Sequence, residues 1–220
     1  MQRALGSPTL ILVPTGLELA RLEDLGGFEN QGLVSTCGFG PVAAAARTAE
    51  LVARLTPARV LLVGIAGAYD CAKDPVGSAL EFGSVAIHGV GVGEAAAHLP
   101  PPSLGFPQWP ATEFPPRAAV FDRLELERRE GPLLLTTCAA SADAAECAER
   151  RRRFPEARAE DMEGFAVALA CGQAGVPISI VRGISNAVGD RAREHWSIPR
   201  ALAAARELAL AVLARAARES

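Results

Sequence analysis

Short, unbroken apolar runs alternate along this chain with longer alanine-rich stretches of helical period, and no other feature of the sequence restricts the fold so much. Residues 9–13, 33–37, 60–65, 83–88, 133–137 and 178–181 read as strands. Several of these are continuous Val, Leu and Ile rather than alternating, which requires apolar cover on both faces of the sheet. Stretches of helical period at 42–54, 142–153, 160–174 and 199–217 fall between and after them. The expected fold is therefore α/β, a three-layer αβα sandwich. It should form a single domain over residues 1–220, because neither a linker nor an internal repeat interrupts the pattern.

Other features set limits on function. Half of the residues are hydrophobic, which excludes a disordered chain. With 22 basic against 25 acidic residues, no basic face for nucleic acid is advertised. No apolar run approaches the ~20 residues that span a bilayer, so no membrane partner is expected. Five cysteines without a C-x-x-C pair read as reduced thiols of a cytoplasmic protein, and His88, His98 and His195 show no metal-ligand spacing. Neither a metal nor a cofactor is expected. The proline-rich stretch 99–116 is too stiff and donor-poor for a strand or helix and is expected to be a long surface loop.

Two glycine clusters sit where an α/β sheet binds ligands. Gly38-Phe39-Gly40-Pro41-Val42-Ala43 joins a strand to a helix and matches a loose dinucleotide fingerprint. That fingerprint also wants an acid at the end of the next strand, which instead ends in Val63-Gly64-Ile65-Ala66-Gly67. Small residues there, Ala66 and Gly67 among them, let a ligand approach the backbone or a helix pack closely. Further on, Glu160, Asp161 and Glu163 crowd one turn of an expected helix start, where the macrodipole alone would account for them. The last strand carries Arg182, Ser185 and Asn186 toward the same sheet edge.

Taken in order, these segments resemble the purine nucleoside phosphorylase and nucleosidase superfamily. Gly38-Phe39-Gly40 with Ala43-Ala44 is similar to its G-x-G-x-x-x-A-A element, and Gly64-Ile65-Ala66-Gly67 to its G-x-A-G turn. Phe154-Pro155 through Met162-Glu163 is similar to the F-P-x-A-x-A-x-x-M-E run of the methylthioadenosine and S-adenosylhomocysteine nucleosidases, and the segment from Arg182 to Asn186 to their R-A-I-S-D. Within the superfamily, Val13-Pro14-Thr15, the turn from Gly64 to Tyr69 and the stretch from Ile184 to Trp196 most resemble the futalosine hydrolase family of the alternative menaquinone pathway.

The resemblance implies cleavage of an N-glycosidic bond in a small-molecule nucleoside, by a homodimer or larger homo-oligomer. Glu163 would accept the ribose hydroxyls and face the cationic sugar of the transition state, with Met162 against the ribose. Glu18 would activate water as general base. Arg182 would hold the water or a ribose oxygen, and Phe154 would stack on the purine, an ordinary core phenylalanine being the alternative. Arg191 and Arg193 are candidates for a substrate carboxylate. A nucleoside-binding sensor could share the fold, but the presence of both Glu18 and Glu163 favours an enzyme.

Departures from the pattern sharpen the expectation. The phosphorylases carry an arginine where this chain has Leu62, and the nucleosidases a hydroxyl where it has Ile65, so little is left to bind phosphate and hydrolysis is favoured. Asn186 stands where adenine-cleaving nucleosidases have aspartate. An amide donates a hydrogen bond but supplies no proton, which fits a 6-oxopurine, and the implied base is hypoxanthine.

Overall fold

The computed structural model describes residues 7–109 and 122–219. Strands β1 (Thr9–Val13), β2 (Leu33–Thr36), β3 (Arg59–Ala68), β4 (Ala79–Glu81), β5 (Ser84–His88), β6 (Arg123–Glu125), β7 (Leu133–Thr137), β8 (Ala157–Asp161) and β9 (Ile178–Ala187) form one nine-stranded sheet. Along β2-β1-β3-β9 and β5-β7-β8 the pairing is parallel. The two parallel sets meet because β3 outruns β1. Its last residues, Gly67 and Ala68, pair antiparallel with Glu160 and Ala159 of β8, while its other edge stays on β9.

Helices cover both faces, as the continuous apolar strands require. Residues 10, 12, 60, 62 and 66 pack toward α2 (Gly40–Leu55) and α4 (Gly164–Gln173). Residues 11, 13, 61 and 63 pack toward α1 (Gly16–Asp24) and α5 (Ile198–Glu219). This two-residue alternation into two apolar layers makes the αβα sandwich. A remaining helix, α3 (Ala144–Arg153), leads into β8.

One expected element changes type. The stretch 160–174 begins as strand and turns helical only at Gly164, so Glu160 and Asp161 are strand residues and do not complement a helix dipole by position. Burying acids in a strand is tolerated because each finds a guanidinium: Glu160 pairs with Arg150, and Asp161 with Arg182. The strands expected at 60–65 and 178–181 extend to Ala68 and Ala187. Within the proline-rich stretch, Pro101–Leu104 form a 3-10 turn with Pro101 buried, where a loop was expected, and residues 110–116 lie outside the described residues.

Candidate active site

The sheet's C-terminal edge opens into a cleft of about 620 Å³ lined by α1, the turn before α2 and the ends of β3, β8 and β9. Glu18 enters through a capping interaction. The Thr15 hydroxyl accepts from the Glu18 N–H at 3.2 Å and donates to its Oε2 at 2.6 Å, which caps α1 and fixes the carboxylate. Its Oε1 then accepts from the Ile65 N–H at 3.0 Å. Glu18 is 5% exposed and lines the cleft.

Glu163 is set by the opposite wall. Gly40, at φ +79°, makes a turn that other residues resist, and its N–H, at the positive end of α2, donates to Glu163 Oε1 at 3.0 Å. Behind it, Asp161 Oδ2 receives Arg182 Nη2 at 2.6 Å, Arg182 Nε at 3.0 Å and the Gly164 N–H at 2.9 Å, the last capping α4. Arg182 Nη2 also reaches Glu163 Oε2 at 3.4 Å. Gly64 makes room for this packing, since a Cβ there would lie 2.3 Å from Arg182 Nη1 and 2.8 Å from Glu18 Oε1.

Three carboxylates thus surround one guanidinium. Burial pushes Glu163 up to about 7, assisted by Asp161 and Glu18 and opposed by Arg182 and the Gly40 N–H. Burial likewise raises the Cys37 thiol to about 12, so the cysteine beside this cluster stays neutral. For Arg182, burial works against the charge, and Asp161, Glu163 and Glu18 outweigh it.

The other end of the cleft is neutral or hydrogen-bonding in character. Asn186 Nδ2 donates to the Ala187 carbonyl at 2.7 Å and, at a weak 3.4 Å, to that of Asp190, while its Oδ1 accepts from Ser185 Oγ at 2.7 Å. Ser185 also reaches the Ala66 carbonyl. Met162, Ala66 and Gly67 line the wall, together with Ser141 and Glu160. At the mouth, Arg191 lies 4.9 Å over the Trp196 ring, and Arg193 lines the same rim. No group of three or more His, Cys, Asp or Glu side chains is placed to hold a metal among the described residues.

Two expected site residues do not line the cleft. Phe154, which closes α3, is one. It is 3% exposed and packs with Tyr69, Leu133 and Leu135. Arg182 is fully buried, does not line the cleft, and touches Asp161 and Glu163. Sequence reasoning missed Thr15, Arg21, Ser141 and Glu160 as cleft residues. The T-x-x-E spacing of Thr15 and Glu18 was the available signal for the first.

Residues 28–218 match the Phosphorylase superfamily. The chain is 36% identical to a futalosine hydrolase of Streptomyces coelicolor, covering 92% of this chain and 84% of that one. It is 30% identical to a 5'-methylthioadenosine/S-adenosylhomocysteine nucleosidase of Psychromonas ingrahamii, covering 73% and 70%. Its fold matches a nucleosidase of that name from Colwellia psychrerythraea, solved with adenine, at a TM-score of 0.74 and 23% identity over 96% of each chain.

Proposed function

The chain belongs to the phosphorylase superfamily, and from that premise we propose that it is an N-glycosidase that hydrolyses futalosine to hypoxanthine and the base-free sugar, in the futalosine route to menaquinone. The observation that carries this reading is the cluster of Glu18, Asp161 and Glu163 around the buried guanidinium of Arg182. A ribose turning into an oxocarbenium ion gains positive charge, which ionised carboxylates at fixed positions stabilise with no reorganisation. The same excess of negative charge repels a phosphate nucleophile, and Leu62 lies in the apolar core, where it offers no anion donor.

Glu18 takes a proton from the attacking water. Its two anchors, Thr15 and the Ile65 N–H, hold the carboxylate at the cleft wall, and each oxygen keeps a further lone pair for that task. Glu163 accepts the ribose hydroxyls. Arg182 keeps Asp161 and Glu163 apart and oriented. The departing base leaves at the Asn186 end, where the weak contact to the Asp190 carbonyl leaves one amide N–H free to turn to N7 or O6. An ionised aspartate at this position would face two backbone carbonyls with an acceptor, whereas the amide meets them as a donor without taking up a proton, which supports amide recognition of a 6-oxopurine.

Arg191 and Arg193 at the mouth suit the carboxyphenyl anion of futalosine, and Arg21, one turn beyond Glu18, joins them. Arg21 also favours a second reading, phosphorolysis, since it is a guanidinium that could meet phosphate at the rim. Leu17 and Phe39 at the cleft rim and Val42 beyond them are 63%, 67% and 84% exposed, which supports a homo-oligomer that covers them. Five cysteines without a C-x-x-C pair support a reducing, cytoplasmic setting.

A substrate panel tests the proposal: futalosine, its 6-amino analogue, inosine and methylthioadenosine, each with and without phosphate, with the released base identified. Fastest turnover of futalosine to hypoxanthine without phosphate is expected. Preference for methylthioadenosine would reassign the enzyme to the adenine-releasing branch.

A further inference from the structure

Beside the three clustered carboxylates lies a fourth buried acid, Glu160, that the chemistry above does not use. Glu160 is 6% exposed and lines the cleft. Its Oε2 accepts from Tyr69 Oη at 2.8 Å, Ser141 Oγ at 2.8 Å and Arg150 Nη1 at 3.0 Å, which fills that oxygen. Among the described residues its Oε1 accepts only from the Ser141 N–H, at 2.7 Å. A carboxylate oxygen has two lone pairs, so Oε1 keeps one acceptor site.

Strand register sets the face on which Glu160 stands. Gly67 pairs with Glu160 across one edge of β3 and with Asn186 across the other. Residues in register on neighbouring strands share a face, and here Asn186 Nδ2 lies 3.5 Å from where a Gly67 Cβ would stand. Tyr69, two residues after Gly67 on the same face, bonds Glu160. An acceptor and a donor therefore flank a position without a side chain, their Cα atoms about 10 Å apart across two strand spacings. A 6-oxopurine carries the matching edge, with the N1–H donor at one end, the O6 acceptor in the middle and N7 at the other. A 6-aminopurine reverses both N1 and the exocyclic group.

We propose that Glu160 accepts the N1–H of the base while Asn186 donates to its O6 or N7, so that the residues flanking Gly67 together select a 6-oxopurine. Arg150 holds the acceptor in place. It bonds both Glu160 and Ser141 Oγ, and ties the 139–141 turn through the Ala139 carbonyl at 2.9 Å. This inference rests on the futalosine reading above and assigns its base specificity to a second residue.

The test measures kcat/KM for futalosine and its 6-amino analogue with wild-type protein and Glu160→Gln, together with inhibition of the wild type by hypoxanthine and 1-methylhypoxanthine. The wild type should prefer futalosine, and Glu160→Gln should narrow that preference about 10-fold to 100-fold, the scale of one mismatched buried hydrogen bond. Methylation at N1 should weaken inhibition by a comparable factor, and this arm needs no variant if Glu160→Gln fails to fold. If the wild type prefers futalosine but folded Glu160→Gln keeps the ratio, or if the methylated base inhibits as well as hypoxanthine, Glu160 does not read N1. A wild type that prefers the 6-amino substrate overturns the 6-oxopurine reading itself, and this proposal with it.

Discussion

Glu163 is the residue on which charge matters most, because its carboxylate is buried, pushed up to about 7, and must be ionised to face a cationic sugar. Glu163→Gln keeps the shape and removes the charge, so kcat should fall about 100-fold or more, the scale lost with a preorganised electrostatic partner. Wild-type kcat/KM should rise with pH through about 7, and that step should vanish in Glu163→Gln. The stability sign is opposite. A carboxyl raised in the folded state gives stability that is present below its ordinary value of 4.5 and lost as pH climbs through about 7. Thermal melts should therefore show Glu163→Gln gaining on the wild type at pH 8 and matching it at pH 4.5. Asn186→Asp belongs to the same scale. Two carbonyls facing position 186 hold an aspartate protonated, so it donates. The variant should retain activity that rises as pH falls, with the futalosine preference over the 6-amino analogue reduced or reversed in kcat/KM. An unchanged ratio would mean that position 186 does not read the base.

At the scale of elements, the site depends on how closely β3 packs at Gly64, where it pairs with Arg182 of β9. Gly64→Ala would place a methyl within 3 Å of Arg182 Nη1, Glu18 Oε1 and the Pro14 ring, so both side chains must shift and the proline must give, at some cost in stability. Displacements of about 1 Å at reacting groups cost on the order of 100-fold. Circular dichroism should show a native spectrum with a lowered melt beside a kcat reduced by that scale, and a normal kcat would mean that Glu18 and Arg182 are not held by this contact. Much of this element layout was legible, since continuous apolar strands and alanine-rich helices state their period directly. What escaped was β8, along with the three-residue strands β4 and β6. The alternation of β8 places Arg158 and Glu160 against alanines, and the partners that permit buried acids, Arg150 and Arg182, come from α3 and β9. Helix α1 escaped for a related reason: it is short and largely polar, held by Thr15 and by Leu22 in the core. The acids of the site were legible as residues from their motifs. Their division of labour was not, because burial of Arg182 and removal of Phe154 from the cleft follow from packing alone.

For the whole molecule, the exposed apolar rim and the chemistry of the cleft lead to separate measurements. Leu17, Phe39 and Val42 present apolar surface beside the mouth, and a second copy of the chain is the proposed cover. Light scattering should give an oligomer for the wild type and a monomer for Phe39→Asp with Val42→Asp, and a monomeric wild type would remove that proposal. The central claim is that carboxylates gathered around Arg182 direct water, and not phosphate, to the anomeric carbon of a 6-oxopurine nucleoside. Turnover of futalosine in ¹⁸O-labelled water, with and without phosphate, addresses it most directly. The account predicts hypoxanthine release at the same rate in both conditions, with one labelled oxygen on the sugar product. Release that requires phosphate and yields a sugar 1-phosphate without label would contradict it.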